Sequence, residues 1–173
     1  SCSDLMLSII HNSKPVIAEV NGIATAAGCQ LVASCDLAYA SNISKFATPG
    51  VNIGLFCSTP MVALSRVVKN KHAMEMLLTG DFIDADKAKS IGLINNSFKE
   101  DELFNEINLI ANKLAKKSTL TLKIGKKAFY NQSEMKITDA YKYASEVMIK
   151  NMMEKDSEEG IRAFIEKRKP NWN

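Results

Sequence analysis

The chain has 173 residues, of which 46% are hydrophobic and 24% charged, and this predicts one domain of ordinary size with a buried core. The formal net charge of +3 is too mild to indicate a nucleic-acid partner. No apolar run reaches the roughly 18 residues that a membrane span needs, so we expect no membrane partner either.

The four cysteines are Cys2, Cys29, Cys35 and Cys57, and none of them forms a C-x-x-C pair. This spacing does not fit a zinc site, and the chain is too long and too apolar for a secreted disulfide framework. We therefore expect free, mostly buried thiols in a reducing intracellular compartment, and no metal site.

Short strands are predicted in the first third of the chain. Residues 14–20 indicate a buried strand, which the Asn21-Gly22 pair ends. Residues 28–35 have little polar surface and predict a short buried helix. Two further strands are predicted at residues 36–41 and 45–49, and three short strands make a poor sheet. Either the domain is unusually helical or the chain begins partway through its fold.

Helices are predicted over most of the remaining chain. Residues 57–60 are typical of a helix start, with Ser or Thr as N-cap and Pro in the first turn. The next helix should end at Gly80, and another should run from a cap at Asp84 to Gly92. The last third predicts a strand at 93–98, an amphipathic helix from Glu100 with Leu103, Ile107, Ile110 and Leu114 on one face, and helices at 119–131, 138–153 and 157–169.

Four stretches, in this order, resemble the crotonase superfamily of enoyl-CoA hydratases and isomerases: KPVIAEVNGIATAAGCQLVASCDLAYAS, FATPGVNIGL, LTGDFIDADKAKSIGLI and EGIRAFIEKRKPNW. The resemblance implies an α/β fold, a crotonase-like ββα superhelix. Residues 1–98 would be the C-terminal part of its core, and residues 99–173 a helical region for trimerisation and covering of CoA. The family's first strands would lie upstream of Ser1, so we expect a fragment, a truncated gene model or a natural short form.

The resemblance also implies a binding site at the small residues Ala27 and Gly28. In the family a backbone N–H at this helix N-terminus points at the thioester carbonyl oxygen of an acyl-CoA, and the matching position is Ala27. Small side chains let the ligand approach the main chain, and the helix dipole favours developing enolate charge. The alternative is a tight strand-to-helix packing turn that binds nothing.

The catalytic carboxylates of the hydratases are replaced in this sequence. The two matching positions are Gln30 and Gly50, and neither side chain can accept a proton near pH 7. The paired-acid hydratase mechanism is therefore not supported, and neither is an isomerase that depends on the second acid. Structural or surface roles are the favoured interpretation of the remaining polar candidates, Glu19, Asp36, Cys29, Cys57, His11 and His72.

Further binding residues are expected from the family layout alone. Lys167 matches a lysine that contacts the CoA 3′-phosphate, although a merely solvated helix tail is an equally good interpretation. Met148 falls where an aromatic side chain often packs on the adenine. The acyl side of the pocket would be lined by Phe46, Pro49, Leu55 and Phe56.

The resemblance predicts an acyl-CoA-binding protein of fatty-acid metabolism, with no cofactor beyond the coenzyme A thioester as ligand. Whether it is an enzyme stays open, because the carboxylates are missing. The alternative is a non-catalytic interaction or regulatory subunit of crotonase-fold oligomers. The expected partners are acyl-CoA and further copies in a trimer or hexamer, or full-length homologues in a hetero-oligomer. The expected compartment is the mitochondrion, or the cytoplasm of a bacterium.

Overall fold

The structure is a computed structural model that describes residues 1–172, and it contains two compact units. The first unit comprises Ser1–Asn12 and Val16–Ala111, and the second comprises Ser13–Pro15 and the chain from Asn112 onward. The roles predicted for residues 1–98 and 99–173 stay predictions.

The strands of the first unit form two three-stranded sheets, ordered β1-β3-β6 and β2-β4-β5. All neighbours are parallel except β4 and β5. The chain runs from β1 through the Asn21-Gly22 turn into the other sheet, and then through a helix to β3, which gives a repeated strand-strand-helix pattern. The strands are β1 (Ile17–Val20), β2 (Ile23–Thr25), β3 (Leu37–Ser41), β4 (Lys45–Ala47), β5 (Ile83–Asp84) and β6 (Asn96–Phe98).

Six helices and a 3₁₀ segment accompany these strands. Two predicted helix ends are confirmed: Asp84 Oδ1 accepts the Lys87 N–H at 2.8 Å, and Gly80 ends its helix in the left-handed region with φ 68°. The N-cap predicted as Ser or Thr before Pro60 is wrong, because the cap is Cys57 and Ser58 is already helical. The elements are α1 (Cys2–Ile10), α2 (Ala27–Ser34), the 3₁₀ segment (Pro49–Ile53), α3 (Ser58–Val67), α4 (Asn70–Thr79), α5 (Ala85–Ser90) and α6 (Glu100–Ala115).

The core of the first unit is built from strands and helices that present small and large apolar residues to one another. Ala40 and Ala88 are fully buried and allow close packing, while Phe46, Leu64 and Leu77 fill the space between the layers. This packing fixes β4, α3 and α4 around the loops described below.

The second unit contains the helices α7 (Thr119–Ser133), α8 (Ile137–Met152) and α9 (Lys155–Ile165). Ser118 caps α7, since its hydroxyl accepts the Thr121 N–H at 3.0 Å and donates to the buried Asp156 carboxylate at 2.5 Å. Across residues 1–172, no helix is both long enough and apolar enough to cross a membrane.

Candidate functional site

The site predicted at Ala27 begins with a strained residue. Ala26 has φ 47° and ψ −111°, a backbone conformation that side-chain-bearing residues rarely adopt. Its N–H donates to the Ala47 carbonyl at 3.0 Å, and its own carbonyl accepts the Gln30 N–H at 3.0 Å. That second bond is the first of α2, so the amide hydrogens of Ala27 and Gly28 have no acceptor within the helix. We call residues 26–28 the elbow.

Gly28 occupies a position where the fold does not require glycine. A Cβ built there would meet only the Ala24 Cβ, at the ordinary contact distance of 3.9 Å. Glycine costs a helix about 1 kcal/mol relative to alanine, so the fold alone would favour Gly28→Ala. The space beside the backbone at Gly28 therefore has no function in packing.

Gln30 lies three residues after Ala27 and is only 4% exposed. The Cys2 thiol, on α1, donates to the Gln30 Oε1 with a distance of 3.6 Å between the two heavy atoms. This contact was not predicted, because no element was predicted over residues 1–13. The cap that begins α1 was visible in the sequence, since the Ser1 and Asp4 side chains form a capping box.

Gly50, unlike Gly28, is required by close packing. A Cβ at this position would lie 2.6 Å from the Leu55 carbonyl oxygen and 2.9 Å from the Cys57 Sγ. The Leu55 N–H also donates to the Gly50 carbonyl at 2.9 Å and holds the loop closed. A side chain of any kind at position 50 is therefore incompatible with the loop as it stands.

The thiols of Cys29 and Cys57 are free and buried, as the sequence predicts, whereas Cys2 is exposed. Burial, and secondarily the neighbouring Cys57, raises the pKa of the Cys29 thiol to about 12. Cys29 is thus a neutral thiol at physiological pH and a poor nucleophile. No group of His, Cys, Asp and Glu within residues 1–172 is arranged to hold a metal ion.

The other polar candidates have structural or surface positions. Asp36 Oδ2 accepts the Val16 N–H at 2.7 Å, a structural role of the kind predicted for it. Glu19 is exposed on β1, and His11 is exposed at the end of α1. His72 Nδ1 lies 3.9 Å from the Glu75 carboxylate on the surface of α4.

The residues predicted to line the acyl pocket differ in burial. Phe46 is fully buried in the core of the first unit, and Pro49 opens the 3₁₀ segment. Leu55 and Phe56 follow this segment and are both exposed. Their roles toward a ligand stay predictions.

The chain around Lys167, in the second unit, also has a strained backbone. Lys167 follows the last residues of α9 with φ 53°, and the Arg168 N–H donates to the Ala163 carbonyl at 3.0 Å. This is the helix-ending motif in which glycine is preferred at the left-handed position. The other residue predicted to contact CoA, Met148, is exposed on α8.

A group of contacts, which we call the C-terminal clasp, holds the chain after Lys167. The Glu159 carboxylate accepts two hydrogen bonds from Arg168, at 2.6 and 2.8 Å, and one from the Asn171 N–H at 2.8 Å. The hydrogen bonds from Arg168, then the one from Asn171, lower the pKa of Glu159 to about 2. The Trp172 Nε1–H completes the clasp by donating to the Lys116 carbonyl at 2.9 Å.

The α/β core and the small-residue elbow are features of proteins with the crotonase fold, and comparison of the chain with known proteins agrees. The family model described as enoyl-CoA hydratase/isomerase matches residues 1–173, and the chain belongs to this family. Its resemblance to that family and its predicted crotonase-like α/β fold are therefore confirmed.

Individual relatives are also similar over the whole chain. It is 54% identical to "Enoyl-CoA hydratase domain-containing protein 3, mitochondrial" of Xenopus laevis, covering 99% of this chain and 58% of the relative. The protein of that name from Homo sapiens is 51% identical, with 100% and 57% covered. The chain thus spans less than two thirds of the length of these relatives.

Two solved structures show the same fold. An enoyl-CoA hydratase from Mycobacterium smegmatis superposes with a TM-score of 0.97 at 51% identity, covering 99% of this chain and 66% of that one. Human enoyl Coenzyme A hydratase domain-containing protein 3 gives 0.96 at 52% identity, with 99% and 68% covered.

Proposed function

We propose that this chain binds the thioester of an acyl-CoA at the elbow, with the Ala27 N–H donating to the thioester oxygen. The observation that carries the proposal is the elbow itself, where the strained Ala26 begins α2 and Gly28 leaves space beside the free amide hydrogens of the first turn. A ligand that approaches the main chain at this point accounts for it. The positive end of the α2 dipole would stabilise enolate charge on that oxygen.

Ordinary hydration of an enoyl-CoA is not part of the proposed function. That reaction needs groups that exchange protons with water and with the α-carbon, and Gln30 and Gly50 supply neither. The activity left to such a site is binding, or a thioester reaction that needs only enolate stabilisation. We place it in acyl-CoA metabolism, without a metal ion or additional cofactor, and in the mitochondrion on the names of its relatives.

The strained backbone of Lys167 supports a role for this residue in binding the CoA moiety. A lysine in a left-handed backbone conformation costs stability that glycine would avoid. Strain of this kind is often retained at functional sites. We propose that Lys167 contacts the 3′-phosphate, with Met148 near the adenine and Phe46, Pro49, Leu55 and Phe56 on the acyl side.

A second candidate function is that of an interaction subunit in a homo-trimer or hexamer, or in a hetero-oligomer with longer homologues. It is favoured by the apolar surface of the second unit, because exposed apolar residues clustered on neighbouring helices are typical of protein interfaces. The exposed apolar residues on and next to α8 and α9 include Met148, Ile149, Met152, Met153, Ile161, Phe164 and Ile165.

Titration calorimetry with butyryl-CoA tests the proposed site through the variant Gly28→Ala. We expect the variant to unfold at the same or a higher temperature, because alanine favours the helix by about 1 kcal/mol. Its affinity for butyryl-CoA should nevertheless fall by about tenfold, since the methyl group blocks the approach to the backbone.

The matched control is Gly125→Ala, because Gly125 is also helical and a Cβ there would meet nothing within 4 Å. This control should gain stability without losing affinity. Equal affinities of the two variants would contradict a site at the elbow. Binding that appears only when longer homologues are added would favour the second candidate function.

A further inference from the structure

The two units of the chain have opposite net charges. The second unit holds 15 Lys and Arg against 8 Asp and Glu, a net charge of +7, whereas the first unit holds 7 against 11, a net charge of −4. The mild overall charge of +3 is therefore the average of two unlike parts. A part of a protein with so strong a positive balance attracts anionic partners.

The positive charge of the second unit is concentrated in residues 112–133, which we call the lysine segment. It contains six lysines and no acidic residue. The Lys126 ammonium donates to the Lys14 carbonyl at 3.1 Å. The other five lysines are exposed and form no ion pair within residues 1–172: Lys113, Lys116, Lys117, Lys123 and Lys127.

Helix α7, which forms most of the lysine segment, also carries apolar residues that the described chain does not bury. None of its 15 residues is buried, and Leu120 and Phe129 are 36% and 63% exposed. Leu120, Lys123 and Lys127 lie on one side of the helix, because residues three or four positions apart share a face. The partner that fits this side is anionic and also covers apolar side chains.

A bilayer that contains anionic phospholipids meets both requirements. Its phosphates lie at the surface and its hydrocarbon lies directly beneath them, so lysines and a leucine on one helix side can both be satisfied. Lysine side chains suit this position, since their methylene stems lie along apolar surface while the ammonium groups stay among the phosphates. A nucleic acid would pair with the lysines but would offer little to the aliphatic Leu120.

This contact does not require a membrane-spanning segment. We expected no membrane partner because the sequence has no long apolar run, and no helix within residues 1–172 could cross a bilayer. A helix that lies in the headgroup layer does not span the membrane, however, and its binding depends on surface charge and on a few apolar side chains.

We propose that the lysine segment is a peripheral membrane contact that binds the protein to an anionic phospholipid surface. The contact goes beyond the proposed function, because it shares no residue with the elbow or with the other proposed acyl-CoA contacts. The negatively charged first unit adds no attraction to such a surface, so binding should depend on the second unit alone.

Vesicle flotation tests this proposal. At about 50 mM salt, the protein should bind phosphatidylcholine vesicles with about 30% phosphatidylglycerol about tenfold or more tightly than pure phosphatidylcholine vesicles. At about 500 mM salt this preference should largely disappear, because salt screens the charges. A quadruple variant should lose the preference even at low salt, since each lysine near an anionic surface contributes about fivefold. Its substitutions are Lys116→Gln, Lys117→Gln, Lys123→Gln and Lys127→Gln.

The matched control removes four exposed lysines of the first unit and changes the net charge equally. Its substitutions are Lys45→Gln, Lys69→Gln, Lys71→Gln and Lys89→Gln. This control should keep the preference for anionic vesicles. Circular dichroism melts check that both variants are folded, which we expect because lysine and glutamine have similar helix propensities.

Four results would overturn the inference. The first two are equal binding to both kinds of vesicle and an equal loss of binding in the two quadruple variants. The other two are binding of a single-stranded RNA without binding to vesicles, and salt-dependent self-association without binding to vesicles. Each of them leaves the proposed acyl-CoA site standing, because that site uses other residues.

Discussion

Ala26, at the elbow, has a backbone conformation that is unfavourable for a residue with a side chain. With φ 47° it lies where glycine is favoured, and a strained residue of this kind costs about 1–3 kcal/mol. Glycine would remove the strain but would lose more freedom on folding, about 0.5–1 kcal/mol. We expect Ala26→Gly to raise the free energy of unfolding by about 1 kcal/mol, as measured by urea denaturation.

The control for this prediction is the neighbouring residue. Ala27 is the first residue of α2, so Ala27→Gly changes the same side chain at a helical position and should lower the free energy of unfolding by about 0.5–1 kcal/mol. The two variants should therefore move in opposite directions. If both destabilise the protein equally, the strain at Ala26 is not relieved by glycine.

At the residue scale, the sequence selects candidate positions but not the contacts that they make. Ala27, Gln30 and Gly50 were selected because the short motifs around them match those of the family, and their roles stay predictions. The contact of Gln30 with Cys2 joins residues that are 28 positions apart. No local pattern encodes such a contact, since it depends on how α1 packs near α2.

Among the elements, the C-terminal clasp predicts a pH response that is unusual for a surface carboxylate. Hydrogen bonds from Arg168 and Asn171 lower the pKa of Glu159 from 4.5 to about 2. A lowered pKa in the folded state means that the clasp contributes fully above about pH 4.5 and is lost as the pH falls toward 2. Trp172, the only tryptophan of the chain, packs beside Gly160, so its fluorescence reports on the state of the clasp.

We therefore expect Trp172 fluorescence to change with a midpoint near pH 2, while circular dichroism follows the helices separately. In Glu159→Gln this step should be absent, because the titrating group is gone. Glu158→Gln is the matched control, since Glu158 contacts Arg162 rather than the clasp, and it should keep the step. A midpoint near 4.5 in the unmodified protein would show that Arg168 does not hold the carboxylate in solution.

At the element scale, long and strongly patterned segments were predictable and very short ones were not. Helix α6 was predicted from its apolar stripe, and the end of α4 from Gly80. Strands β2 and β5, with three and two residues, were missed because so few residues cannot show a period. Helix α9 was predicted to residue 169 but ends at Ile165, where the chain turns through Lys167 into the clasp.

Across the whole molecule, local preferences fail at the places where we propose ligand contacts. Ala26 has a backbone conformation suited to glycine, Gly28 has a helical position suited to alanine, and Lys167 has another conformation suited to glycine. Asp84 and Gly80 cap and end their helices in the usual way, and within residues 1–172 the non-glycine residues with positive φ are Ala26 and Lys167. Sequences commonly depart from local preference at functional sites, and this distribution fits that pattern.

At position 50, the absence of the hydratase carboxylate goes together with close packing of the backbone. We therefore predict that restoring both carboxylates will not restore hydration activity. The Gly50 loop has Leu55 and Cys57 on one side, and a Cβ built at Gly80 would lie 3.0–3.2 Å from atoms of the same 3₁₀ segment. Gly50→Glu should therefore destabilise the protein by about 1–3 kcal/mol or more, whereas Gly125→Glu, in open space, should not.

We expect the double variant Gln30→Glu, Gly50→Glu to melt at a lower temperature and to show no hydration of crotonyl-CoA, measured by loss of enoyl-thioester absorbance. A double variant that keeps its melting temperature and hydrates crotonyl-CoA would show that the loop can rearrange around a glutamate. Hydration at hydratase rates by the unmodified protein would contradict the assignment of Gln30 and Gly50 as inactive.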